Sequence, residues 1–129
     1  MDQPDVHFTG ELSQAQIAEL LSQASVYIGT SCYEPFGLAP LEAALSGCAL
    51  LLNDIPSFRE LWGDAALYFK YNDATDLGQK LFYLKENPEI QNKYGQLAYK
   101  TACEKFSTQR MLTEYEHLYQ NVAFTEKVL

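Results

Sequence analysis

The sequence predicts an α/β domain with a mostly parallel sheet, and three observations carry that prediction. Apolar periodicity switches in regular order between the two-residue repeat of strands and the 3.6-residue repeat of helices. Ala49-Leu50-Leu51-Leu52 is a continuous apolar run, the pattern of a parallel strand covered on both faces. The β-rich stretch Val26-Tyr27-Ile28-Gly29 leads through a polar loop into a helix start, the alternation from which parallel sheets are assembled.

Taken in order, Val6-His7-Phe8 is a short strand candidate ended by Thr9-Gly10. Ser13 is the expected N-cap of the next helix, with Gln16 three residues on as its capping-box partner and Ile17, Leu20, Leu21 and Ala24 on one face. After Val26–Gly29 comes the polar loop Thr30-Ser31-Cys32-Tyr33, then Glu34-Pro35-Phe36-Gly37 and a helix from Leu38 to Ser46. Pro40 fits only in that helix's first turn, where no backbone N–H is required, and Gly47 stands where a left-handed residue ends helices. Beyond Ala49–Leu52, Asn53-Asp54-Ile55-Pro56 turns the chain into a short helix ending near Trp62-Gly63, and Ala66-Leu67-Tyr68-Phe69 is the last strand. Three helices follow, at 75–86, 89–106 and 107–122, with apolar stripes such as Leu77/Leu81/Leu84 and Ile90/Tyr94/Leu97/Ala98 that read as core seams. Trp62 is expected to be a packing residue, and His7 and His117 to be structural, because no partner for them is visible in sequence.

A chain of 129 residues and 14.6 kDa holds at most one modest core, so it reads as a single domain over 1–129 with 107–129 as a C-terminal helix and tail. Hydrophobic residues at 47% exclude disorder, and no apolar run approaches the roughly 20 residues that cross a membrane. The start, Met1-Asp2-Gln3-Pro4-Asp5, lacks the basic and apolar regions of a signal peptide, so a cytoplasmic chain is expected. Cys32, Cys48 and Cys103 are widely spaced and odd in number, which encodes neither a disulfide framework nor a zinc site. The net charge of −8 argues against nucleic-acid contact. All of it lies in residues 1–69, where Arg59 is the one cation, whereas 70–129 are balanced.

A strand, a polar loop, a glycine and a helix N-terminus bind anions in open α/β sheets, and here that place is Thr30 to Glu42. Gly37 lets the backbone approach a phosphate, and the first free amides near Leu38 and Ala39 would point at it. Glu34 before the glycine and Glu42 one turn into the helix are candidate acceptors of sugar hydroxyls, and by spacing alone they equally fit an acidic loop and a helix-stabilising glutamate near the positive end of the dipole.

The run Ser31-Cys32-Tyr33-Glu34-Pro35-Phe36-Gly37-Leu38-Ala39-Pro40-Leu41-Glu42-Ala43-Ala44-Leu45-Ser46-Gly47-Cys48 strongly resembles the signature of the retaining family-4 (group 1) glycosyltransferases, with its E-x7-E motif at Glu34 and Glu42. The resemblance extends to Val6–Gly10, to Pro56–Phe69 and to Phe106-Ser107 with Tyr115 and Tyr119. It implies a Rossmann-like three-layer α/β/α fold, truncated relative to a full GT-B C-terminal domain, and a nucleotide-sugar as the bound partner. It further implies that Glu34 meets hydroxyls of the donor hexose and is the catalytic position. Amides at Phe36, Gly37 and Leu38 would meet the hexose or diphosphate, and Glu42 the ribose. No metal or cofactor is implied, and no separate general base, because the diphosphate leaving group itself assists the acceptor.

The chain departs from the family in starting where the C-terminal domain is already under way. The N-terminal acceptor domain and the cations that neutralise the donor diphosphate lie upstream, which accounts for the acidic first half; Arg59 does not replace both cations. The chain alone is therefore expected to be inactive. In the usual strand order the missing strands separate Val6–Phe8 from Val26–Gly29, so exposed sheet edges are expected to make a homo-oligomer. The alternative function is a non-catalytic binding or assembly module that works with a partner chain.

Overall fold

A computed structural model describes residues 5–34 and 38–106. At its centre is β2 (Ala49–Asn53), buried at every position. Successive side chains of a strand point to opposite faces, so Leu50 and Leu52 pack on one side and Leu51 on the other. β1 (Val26–Gly29) and β3 (Leu67–Phe69) flank it, both parallel, in the order β1-β2-β3. The register runs Val26 to Ala49 and Gly29 to Leu52 on one side, and Leu51 to Leu67 and Asn53 to Phe69 on the other.

The helices form two layers over this sheet. α1 is Gln14–Gln23, α2 Leu38–Leu45 and α3 Pro56–Trp62, the last followed by a 3-10 turn at Gly63–Ala65. Ala43 and Ala44 of α2 and Phe58 and Trp62 of α3 meet Leu50 and Leu52, with Leu21 of α1 at the margin. On the opposite face α4 (Ala74–Glu86) sets Leu84 and Leu77 against Leu51 and Phe69. α5 (Pro88–Lys105) serves both clusters, contributing Ala98 and Ala102 to the first and Ile90 and Tyr94 to the second. This is the three-layer arrangement the alternating sequence predicts.

Local signals behave as their chemistry dictates. Ser13 Oγ accepts the Gln16 N–H at 3.2 Å while Gln16 Oε1 accepts the Ser13 N–H at 2.9 Å, a reciprocal capping box. Gly47 has φ of 87°, and the N–H groups of Gly47 and Cys48 close on the carbonyls of Ala44 and Ala43 to end α2. α4 opens at Asp73, whose carboxylate accepts the Asp76 N–H, so the helix begins one residue before the expected Thr75.

The expected first strand is corrected. Residues 5–10 pair with no strand, and Phe8 is 91% exposed. A three-residue strand has too few ladder bonds to order itself without a neighbour, and among the described residues this segment joins neither outer edge of the sheet. The sheet is accordingly three-stranded and continuous. The expected helix at 107–122 lies outside the described residues, as do His117, Tyr115 and Tyr119.

Trp62 is 2% exposed, and its ring lies 5.5 Å from that of Phe106. Its indole N–H has no hydrogen-bond partner among the described residues. Cys48 is buried, whereas Cys32 and Cys103 are exposed. Among the described residues no helix is long and apolar enough to cross a membrane.

Candidate functional site

Three parallel strands place their carboxyl ends, Gly29, Asn53 and Phe69, along one rim. The loop after Gly29 carries Glu34, and α2 begins at Leu38 on the far side of it. Pro40, Leu41, Ala43 and Ala44 bury the inner side of α2, which turns Leu38 and Glu42 outward together. Residues four apart on a helix share a face, so the first free amide region and the Glu42 carboxylate lie one above the other. Glu34 is half-buried and Glu42 exposed. Phe36 and Gly37 lie outside the described residues.

Tyr27 lies within electrostatic range of both carboxylates. Its ring lies on the α2 side of β1, packed against that cluster, and burial pushes its phenol above the ordinary value. Glu34 and then Glu42 add to the rise, because a nearby negative charge disfavours forming a second one. Both carboxylates thus act electrostatically on one hydroxyl.

The cation of the acidic half is already engaged. Arg59 donates from Nε to Asp54 Oδ1 at 2.7 Å and from Nη2 to Asp54 Oδ2 at 2.9 Å. Its guanidinium also lies 3.9 Å over the Tyr68 ring. The pairing holds the Asp54 carboxyl below its usual range. Burial pushes the Tyr68 phenol up to about 12, against the opposing pull of Arg59.

A cleft of about 480 Å³ lies elsewhere, between β3, the 3-10 turn and α5, lined by Arg59, Asp64, Tyr68, Lys93 and Tyr94. Neither Glu34 nor Glu42 borders it. The rim that carries Glu34, Glu42 and the start of α2 is separate from it. Among the described residues no group of three or more His, Cys, Asp and Glu side chains could hold a metal ion.

Two residues at the rim escape a reading of the sequence. Tyr27 appears there only as part of a strand, since nothing in its spacing reports proximity to Glu34 and Glu42. Asn53 carries a visible signal, a lone amide ending a four-residue apolar run, but its partners are distant in sequence.

A parallel sheet with helices on both faces, and with polar groups gathered beyond the strands' carboxyl ends, defines a Rossmann-like domain. The fold matches that of sucrose-phosphate synthase from Thermosynechococcus elongatus, with a TM-score of 0.86 at 21% identity over 95% of this chain and 31% of that one. Residues 3–101 match the family Glycosyl transferases group 1, and the chain belongs to that family, as part of a GT-B C-terminal domain. It is 28% identical over 118 residues to the O-antigen biosynthesis glycosyltransferase WclY of Escherichia coli, covering 91% of this chain and 32% of the relative. It is 26% identical over 116 residues to the N-acetyl-alpha-D-glucosaminyl L-malate synthase of Bacillus anthracis, covering 88% of this chain and 30% of that enzyme. The chain therefore spans about a third of the length of these relatives.

Proposed function

We propose that the rim from Thr30 to Glu42 binds the nucleoside-diphosphate sugar of a retaining hexose transfer. The observation that carries this reading is the placement of Glu34 in the loop beyond the carboxyl end of β1 and of Glu42 on the outward face of the opening turns of α2. A nucleotide-sugar needs hydroxyl acceptors on both sides of an anion cradle, and this rim offers carboxylates flanking free amides. Glu34 takes hexose hydroxyls, the amides of Phe36, Gly37 and Leu38 take the hexose or diphosphate, and Glu42 takes the ribose. As the bond to the anomeric carbon breaks, charge grows on the diphosphate, and the α2 N-terminus stabilises it where it forms. A diphosphate oxygen then accepts the acceptor's proton, so no side-chain base is required.

Arg59 stays with Asp54 in this scheme, and the further cations and the acceptor surface come from a domain outside this chain. The chain alone binds donor weakly and turns nothing over. A cytoplasmic setting, where nucleotide-sugars are made, belongs to the same reading.

Thermal unfolding in the presence of UDP, GDP, ADP and their sugars tests it. A ligand at 100 times its Kd adds about 2.7 kcal/mol to the native state, which raises Tm by at least several degrees. One nucleotide is expected to do so selectively, and Glu42→Ala to remove most of the shift. No shift with any of them at millimolar concentration, or a full shift in Glu42→Ala, would overturn the assignment.

A further inference from the structure

Asn53 ends β2 and is fully buried, a costly place for a primary amide unless its donors and acceptor are engaged. They are engaged across the carboxyl ends of all three strands. Nδ2 donates to the Ser31 carbonyl at 3.2 Å, in the loop after β1, and to Asn72 Oδ1 at 3.5 Å, in the turn after β3. Oδ1 accepts the Asn72 backbone N–H at 3.1 Å. Asn72 Oδ1 accepts in addition from the Cys32 thiol at 3.1 Å. Two successive loop residues, Ser31 and Cys32, are thereby tied to one turn through two asparagine side chains.

That turn is a firm anchor. The Asp73 N–H donates to the Lys70 carbonyl at 2.9 Å, and the Lys70 N–H donates to the Asp76 carboxylate at 2.7 Å. Asn72 sits between them at φ of 54°, a left-handed conformation that asparagine adopts more readily than most residues. The loop it holds is the outer element, with Cys32 and Tyr33 exposed.

We propose that Asn53 and Asn72 form a latch that positions the Glu34-bearing loop, making both of them positioning residues for the rim. Its functional half rests on the donor-site reading above. Neither asparagine touches the ligand in this scheme. They set where residues 31–34 stand relative to α2, two residues upstream of the Glu34 carboxylate, and so convert a flexible approach into a prepared one.

Asn72→Gly is the informative variant, since glycine keeps the left-handed turn and the backbone N–H that donates to Asn53, and loses the side-chain carboxamide whose oxygen holds Cys32 and Asn53. In the ligand-free chain, amide exchange over residues 30–34 and iodoacetamide alkylation of Cys32 are both expected to rise about fivefold, the factor that a hydrogen bond of about 1 kcal/mol represents. Without the Asn72 oxygen that engages it, the Cys32 side chain is freer to meet the reagent. Cys103 should react as before and the buried Cys48 should stay protected, which reports that the fold is intact. Asn72→Asp, which retains the acceptor oxygen, should restore the slow exchange of residues 30–34. The affinity for whichever of the UDP-, GDP- or ADP-sugars binds the wild-type chain should fall in Asn72→Gly by a similar factor, while the matching bare nucleotide, which lacks the hexose that Glu34 takes, loses less.

Unchanged exchange and alkylation in Asn72→Gly would overturn the latch, and a loosened loop with unchanged nucleotide-sugar affinity would overturn its positioning role. If none of the nucleotide-sugars binds the wild-type chain, faster exchange and alkylation still support the latch, while the donor-site reading fails.

Discussion

Gly78 lies inside α4 and Gly95 inside α5, and alanine at the two positions should move stability in opposite directions. Helix propensity alone treats them alike, because alanine in a helix interior is favoured over glycine by about 1 kcal/mol. Around Gly78 a Cβ would meet nothing within 4 Å, so Gly78→Ala should realise most of that gain. At Gly95 the new Cβ would stand 2.7 Å from the Gly47 carbonyl oxygen and 3.7 Å from the Ala49 nitrogen. Both neighbours are backbone, at the cap of α2 and the first residue of β2, and neither can rotate away. Relief requires α5 to lift off the sheet, loosening the contacts of Ala98 and Ala102 with the core. Overpacking of this kind costs about 1–3 kcal/mol, and backbone neighbours put it at the upper end, leaving a net loss of about 2 kcal/mol after the propensity gain. For a domain of this size Gly95→Ala should lower Tm by roughly 5–10 °C and Gly78→Ala raise it by roughly 2–4 °C. Circular dichroism at 222 nm against temperature reads both. A rise in Tm for Gly95→Ala would refute the close approach of α5 to Gly47.

Two further outcomes are expected. The Lys70 amide holds the Asp76 carboxyl below its usual range, with Lys80 assisting, so Asp76 contributes stability that is complete above the unfolded carboxylate value near 3.9 and is lost as pH falls through the lower native one. Urea titrations should therefore show Asp76→Asn less stable than wild type at pH 7, with the two converging once the pH has fallen below the native carboxyl's own value; a gap that persists in strong acid would count against the assignment. Tyr27, followed by NMR of ring-labelled tyrosine, should titrate at lower pH in Glu34→Gln and in Glu42→Gln, most of all in the double variant, and an unmoved phenol would separate the two carboxylates from it.

Much of the fold was legible because its signals are local. Ser13 with Gln16, Pro56 at the start of α3 and Gly47 after α2 each state a boundary through hydrogen-bond chemistry confined to a few residues. The run Ala49–Leu52 announces the central strand because only a strand covered on both faces can use four apolar residues in succession. Val6–Phe8 shows the limit. Its composition suits a strand, but pairing is a property of two segments, and no neighbour accepts it.

By itself, the sequence determined the alternation of elements, the centre of the sheet, the family signature and the two carboxylates at Glu34 and Glu42. Each depends on the order and type of residues within a short window. Only the tertiary structure decided that Arg59 is engaged by Asp54, that both carboxylates bear on Tyr27, and that Asn53 joins Ser31 to Asn72. Those relations join residues from 5 to about 40 positions apart. Their geometry exists only once β1, β2 and β3 lie side by side and bring their carboxyl ends to one rim.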